Sequence, residues 1–459
     1  MPPNNGDAGR AQAPVVVAGG GIAGLAAAVE LSRLGHRVLV LEARRRWGGR
    51  AASFRERTTG DELDNGQHAL MGCYHHTLAF LDRIGASAKL AWQGRLQVPY
   101  FDLITGRTAT LRAGPGPSPI HVAAGIARFA LLSPAQRIEA LLGGLRILAL
   151  RRRQDPLLLH VTVEDLLRFC RQSPSTRERL WNPIAIATLN ELPSRAAAAP
   201  FAEVIARAFF GSRRDSQFVF PRVSLSELYV PGALDFVRRH GGAAQLGAPV
   251  EGLVRNGEEI RAVVVRGGEV IPASAVVCAL PPGAARNLLA EHGVAIPAFD
   301  YAPIVSVYLW FQQPPELPPF FGLLGGHGQW VFHRASLWGQ TACAAAPDSH
   351  IVSVVISAAR SEAQRHDGEL IHDVTAELRC AFPHLARMEI RHALVVREKR
   401  ATPSLTPELD RQRPPTRTRL RNLFLAGDWI ATGLPATIES AVASGFAAAR
   451  AVVPPYSKS

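Results

Sequence analysis

Apolar residues near the start of the chain fall into a short unbroken run (Val15 to Val17), a stripe at helical spacing (Ile22 to Leu34) and a second run (Arg37 to Leu41). A β-branched run suits a strand buried on both faces and the stripe suits a helix packed on it, so this order predicts a βαβ unit. Pro14 sits at the edge of the first strand, where its missing N–H costs little. Gly35 stands where a left-handed cap ends the helix. Between strand and helix, Gly19, Gly21 and Gly24 form Gly-x-Gly-x-x-Gly. Gly19 permits the tight turn, Gly21 leaves room for a pyrophosphate to approach the backbone, and Gly24 lets the helix lie close to the sheet. The phosphates would rest on the helix N-terminus, at Ile22 and Ala23. Glu42 follows the second strand at the interval from which a carboxylate reaches ribose hydroxyls, and it favours a free 2′-OH over a 2′-phosphate. The unit is read as a dinucleotide site.

Further along, helical spacing predicts Thr77 to Ile84, ended by Gly85, and dominates the stretch from Ala86 to about Val230. Arg137 to Leu150 carries Ile138, Leu141, Leu142, Leu145, Leu148 and Ala149 on one stripe, with Arg137, Arg146 and Arg151 to Arg153 beside it. Such a basic amphipathic helix can lie in a membrane interface or simply pack on a core. From Ala248 the pattern becomes short strands with turns at Asn256-Gly257 and Gly267-Gly268, a β-meander ending in a buried strand up to Cys278. Alternating strands are expected around Ile304 to Trp310 and Ile351 to Ile356.

Composition changes this picture little. At 459 residues the chain can hold two or three packed units. Its five cysteines (Cys73, Cys170, Cys278, Cys343, Cys380) are scattered without a C-x-x-C pair, so neither a disulfide framework nor a metal site is expected, and a reducing compartment is the default. His75 and His76 are adjacent and point apart on a regular element, which argues against a shared metal. Ala11 to Val29 lacks charge but contains the glycine pattern, so it is read as a fold element and not as an export signal; no segment suits a spanning helix. The net charge of +13 comes without any nucleic-acid-binding pattern. It fits an anionic membrane surface or a merely solvated basic surface.

The C-terminal run Asn422-Leu423-Phe424-Leu425-Ala426-Gly427-Asp428, followed by Pro435-Ala436-Thr437-Ile438-Glu439-Ser440-Ala441, resembles the closing motif of FAD-dependent amine oxidases and phytoene desaturases. Glu42-Ala43-Arg44-Arg45-Arg46-Trp47-Gly48-Gly49-Arg50 is similar to that superfamily's Glu-x-Arg-x-x-x-Gly-Gly-Arg run. The resemblance implies FAD as cofactor. It places Gly48, Gly49 and Arg50 at a phosphate, Val250 at the adenine, and Gly427 and Asp428 at the ribityl or pyrophosphate part. Ala436, Thr437 and Ile438 would bring a helix N-terminus to the flavin pyrimidine ring, where it favours the anionic reduced form. It also implies an α/β protein: a discontinuous Rossmann-like FAD-binding domain of glutathione-reductase type (residues 14–85, 231–290 and 398–453) with a mixed α+β substrate domain (86–230 and 291–397). A helical part could face a membrane, and flexible termini are expected at 1–13 and 454–459.

Within the superfamily, the block from Asp64-Asn65-Gly66-Gln67-His68 to Thr77 looks like the bacterial hydroxysqualene dehydroxylases of hopanoid biosynthesis. Trp181-Asn182-Pro183 with Leu189-Asn190, Trp330-Val331-Phe332 and Lys399-Arg400-Ala401-Thr402 point the same way. The resemblance implies reductive removal of an allylic hydroxyl from hydroxysqualene, with reduced FAD as hydride donor and a further electron donor behind it. It sets Gly66, Gln67 and His68 near the flavin. Water leaves only if its oxygen is protonated, so a general acid is needed; His68 is the first candidate, Asp64 and Glu191 the others. Tyr74, Trp181, Trp330 and Phe332 could line an apolar tunnel and face the cation. A thirty-carbon substrate implies a peripheral position on the inner face of the cell membrane, or direct transfer from the preceding squalene-pathway enzymes. The rivals are a carotenoid-type desaturase, which shares every FAD motif, and a prenyl-lipid binding protein without redox activity; no lysine site or aromatic cage suggests an amine oxidase.

Overall fold

The computed structural model describes residues 13–338 and 350–452. The termini expected to be flexible, apart from Ala13, and Cys343 lie outside that range. The first valine run becomes the strand Val15–Ala18, the centre of a five-stranded parallel sheet. Val38–Glu42 and then Ala243–Leu246 lie on one side of it, Ala275–Cys278 and then Leu423–Leu425 on the other. Alternation sorts its side chains. Val15 and Val17 pack into a core made by the helices Ile22–Arg33, Leu225–Arg239 and Ile438–Val452, whereas Val16 packs against Ile260, Val263 and Val265 on the other face. Those three residues belong to the antiparallel meander Val250–Asn256, Glu259–Val265 and Val270–Pro272, whose turns carry left-handed Gly257, Gly267 and Gly268. The expected strand, helix and meander order is therefore present, and the sheet is assembled from three distant parts of the chain.

A second, seven-stranded sheet has the order Ile390–Pro403, Tyr301–Phe311, His350–Ile356, Trp330–His333, Phe320–Leu324, Gln97–Asp102, Arg107–Arg112. One face is covered by the helix Asp367–Ala381, through Leu370, Val374 and Leu378. The other meets a block of helices that includes Pro134–Arg152, Asn182–Leu189 and Ala198–Phe210. The helix expected at Arg137 to Leu150 is longer than its apolar stripe because Ser133 and Gln136 close a capping box at its start. The helix Leu225–Arg239 runs across residue 230, and Leu228, Tyr229 and Val237 pack on the nucleotide-side core.

Two buried carboxylates tie the helices around the dinucleotide unit. Glu30 is fully buried and receives Arg33 at 2.9 Å and Arg450 at 3.1 Å, together with Arg83. Burial alone would raise its pKa, but the three guanidinium groups hold it below the ordinary value. Glu439, in the first turn of Ile438–Val452, accepts from the N–H groups of His76 (3.0 Å) and Thr77 (2.9 Å), from His76 Nδ1 (2.8 Å) and from Thr77 Oγ1 (2.8 Å). Burial opposes its ionisation and these donors outweigh it, so its pKa also falls. The C-terminal helix is thereby fixed end-on against His75–Arg83.

Candidate active site

A single cavity of about 560 Å³ runs from the glycine-rich turn into the space between the seven-stranded sheet and the helical block. Its first end is backbone and charge: Gly19, Gly21, Ile22 and Ala23, then Glu42, Ala43 and Arg44, then Gly48, Gly49 and Arg50. Gly427, Asp428, Ala436, Thr437 and Ile438 close that end from the C-terminal segment. The far end is apolar: Val98, Tyr100, Val204, Phe320, Trp330 and Phe332 contribute to it. At the junction stand Asn65, Gly66, Gln67, His68 and Glu398.

The polar end fits an FAD pyrophosphate. A Cβ on Gly21 would meet only Gly49 Cα, at 3.9 Å, so the backbone there is open to a ligand. No side chain caps the helix Ile22–Arg33, which leaves its first N–H groups for an anion. Gly24 does not line the cavity; a Cβ there would lie 1.9 Å from Gly19 O and 3.2 Å from Ala279 Cβ, so its role is close packing. Glu42 takes the N–H of Gly20 at 2.7 Å and of Arg44 at 2.8 Å, binding both phosphate turns to the strand end. Arg50 meets Asp428 Oδ1 at 2.5 Å and donates to Ala401 O at 3.1 Å. Asn65 Oδ1 is buried without a partner. Val250, expected at the adenine, is not among the lining residues.

The three acid candidates separate. His68 lies in the cavity wall, and its Nδ1 pairs with Gly66 O, so Nδ1 carries the proton and Nε2 is an acceptor. Burial pushes its pKa down; Asp64 partly offsets this. Asp64 is not at the cavity surface: Oδ1 accepts from Ser53 Oγ at 2.6 Å and from Leu225 N at 2.9 Å, and burial raises its pKa. Glu191 does not reach the cavity either. It is buried against Arg360 (2.8 Å), Ser404 Oγ and Leu192 N (3.0 Å), and although burial would raise its pKa these partners hold it low. Both are tied to structure by long-range partners.

Among the aromatic candidates, Tyr74, Trp330 and Phe332 line the cavity. Trp181 does not: its Nε1 donates to Gln172 Oε1 at 2.6 Å inside the helical core. The adjacent histidines do part, His75 to Asp215 and His76 to Glu439. Two residues carry weight that the motifs did not signal. Arg413 is 5% exposed and donates to Leu434 O (2.7 Å), Asp428 O (3.0 Å) and Asp410 Oδ1 (3.1 Å), which shapes the Gly427-Asp428 loop. The other is Glu398.

Residues 22–453 match the family described as flavin-containing amine oxidoreductase. The chain belongs to that family. It is an FAD-dependent oxidoreductase. A hydroxysqualene dehydroxylase from Rhodopseudomonas palustris is 31% identical to this flavoprotein over 442 residues, 96% of this chain and 98% of the relative. A 15-cis-phytoene desaturase from Synechococcus elongatus is 24% identical over 459 residues, 96% and 95% of the two chains. Among solved structures, an oxidoreductase from Methanosarcina mazei superposes with a TM-score of 0.72 at 16% identity, over 95% of this chain and 99% of that one, and shares the fold.

Proposed function

We propose that the flavoprotein removes the allylic hydroxyl of hydroxysqualene to give squalene. The observation that carries this reading is the single cavity joining the phosphate-binding glycines to an aromatic and aliphatic chamber. The greater similarity to the hydroxysqualene dehydroxylase than to the phytoene desaturase favours reduction over desaturation. Reduced FAD supplies the hydride that replaces the hydroxyl. Gly21, Ile22, Ala23 and Arg50 would hold the cofactor's phosphates, and Glu42 would face its ribose. Tyr100, Phe320, Trp330 and Phe332 line the chamber, where they would exclude water and offer aromatic surface to a delocalised cation. His68, neutral with Nε2 unprotonated, orients the leaving hydroxyl as an acceptor.

Incubating photoreduced protein anaerobically with hydroxysqualene, while following flavin absorbance and extracting products for mass spectrometry, tests the reading. Flavin reoxidation matched by squalene is the expected result. A reducible flavin with no squalene, and conversion of phytoene by the oxidised protein, would replace it with desaturation.

The same reading puts the protein against a membrane on the cytoplasmic side, because carrying thirty apolar carbons through water costs on the order of 20 kcal/mol. No described helix is long and apolar enough to cross a bilayer. The helix Pro134–Arg152 instead exposes Ile138, Leu142 and Leu145, at 61%, 47% and 54%, while its inner side packs on Ala198–Phe210, which carries the cavity residues Val204, Ala208 and Phe209. Arg151 is paired with Glu203 at 2.8 Å and Arg146 with Cys170 O at 2.9 Å, so the exposed apolar ridge makes the larger contribution to contact. Replacing Ile138, Leu142 and Leu145 together by Asp should weaken binding to phosphatidylglycerol vesicles about tenfold or more in a flotation assay, with FAD content unchanged. Equal flotation would remove this helix from the contact.

A further inference from the structure

The strand Ile390–Pro403 breaks register at the junction of the cavity's two ends. Thr402 pairs with Ala302 and Glu398 with Ile304, so Lys399, Arg400 and Ala401 stand against Pro303 alone. A bulge of this kind re-aims side chains and recurs beside active sites. Here it turns Lys399 and Arg400 outward to solvent, presents Ala401 O to Arg50, and leaves the side chain of Glu398 in the cavity wall next to Ile304. Ile304 packs on the apolar core of the chamber, and Arg50 and Asp428 lie on the other side. Glu398 therefore stands where the polar compartment ends and the apolar one begins.

The contacts of this carboxyl are few. Asn65 Nδ2 donates to Oε2 at 3.3 Å and the Arg400 N–H to Oε1 at 3.4 Å. Glu398 forms no ion pair among the described residues. The nearby cation, Arg50, is paired with Asp428 at 2.5 Å and interacts with Glu398 only through a weaker, longer-range attraction, so one guanidinium serves two carboxyl groups. Tyr301 and Arg400 complete the charged and titratable surroundings of that pair, and His68 lines the same cavity. Filling the chamber with a hydrocarbon chain removes water from around this carboxyl. The other acids near the cavity are committed: Glu42 to two backbone N–H groups, Asp428 to Arg50, Asp64 to Ser53 and Leu225.

We propose that Glu398 is the catalytic acid that protonates the leaving hydroxyl. The inference rests on the dehydroxylation reading above. The C–O bond breaks with its electron pair passing to oxygen, the Glu398 proton goes to that oxygen, and water departs. The carboxylate left behind would face the allylic cation, and the hydride that completes the new C–H bond is what reduced FAD would supply when bound. Glu398 then regains a proton from solvent. The overall change is alcohol plus proton plus hydride to hydrocarbon plus water.

The test compares leaving groups. Single-turnover rates are measured for photoreduced wild-type protein and Glu398→Gln with hydroxysqualene and with its acetate ester, whose leaving group needs no proton. With flavin content and absorbance spectrum unchanged, Glu398→Gln should slow the alcohol about 100-fold or more and the ester less than about tenfold. The fall of the wild-type alcohol rate with rising pH should vanish in the variant. Equal losses on both substrates, or no loss on either, would overturn the assignment. Wild-type protein that makes no squalene from either overturns the dehydroxylation reading and this inference together. Should Glu398→Gln fail to retain FAD, Glu398→Asp takes its place, with a smaller loss expected on the alcohol alone.

Discussion

Gly24→Val yields protein with less than about one-tenth of the wild-type flavin content and a stability lowered by about 3 kcal/mol or more. The added Cβ would sit 1.9 Å from Gly19 O, a backbone atom that cannot move aside without opening the turn. The helix Ile22–Arg33 must then lift from the sheet, and the N–H groups of its first turn leave the phosphate position. Gly21→Ala makes a sharp contrast. Its Cβ meets only Gly49 Cα at 3.9 Å, so folding is undisturbed while the new methyl occupies the approach path of the pyrophosphate. The ratio of flavin to protein absorbance and a urea unfolding curve separate the two: Gly24→Val loses both properties, Gly21→Ala loses flavin alone. Retention of flavin by Gly24→Val would mean that the turn does not form as described.

Arg413→Ala is expected to cost about 3–5 kcal/mol, because removing a buried cation strands the acceptors it served. Leu434 O, Asp428 O and Asp410 would all lose their donor at once. The loop between Gly427 and Ile438 would no longer be held to one shape, and flavin affinity should fall with stability. Arg413→Lys should recover only part of the loss, since a single ammonium cannot span Leu434 O and Asp428 O as the planar fork does. Thermal unfolding with and without added FAD measures both effects. A variant as stable as wild type would show that the loop is held by other contacts.

The legible parts of this protein are those whose cause is local. Val15 to Glu42 is legible as strand, turn, helix and strand because each step depends on neighbours within a few residues, and the two glycine turns of the meander follow the same logic. The C-terminal motif was legible through resemblance. Two of the acid candidates lie away from the cavity for a different reason. Asp64 and Glu191 have the right functional group, but their partners Ser53, Leu225, Arg360 and Ser404 come from distant segments that no spacing announces. Glu398 was hidden by a bulge, which breaks the period-two alternation that would otherwise assign its face. The helical spacing between Ala86 and Val230 likewise masked Gln97–Asp102 and Arg107–Arg112, strands that belong to a sheet completed by residues more than two hundred positions later.

The parallel sheet places Val17 beside Val277, and Val277 beside Phe424. A ribosome adding about 5–20 residues per second needs roughly 20–80 s to travel from the first of these strands to the last. The earliest strand keeps an unsatisfied edge until Ala275–Cys278 is made, that strand in turn waits for Leu423–Leu425, and Gly427 and Asp428 come later still. Flavin capture is therefore an event of the finished polypeptide, and a cell short of FAD would accumulate complete chains awaiting cofactor in place of stalled fragments.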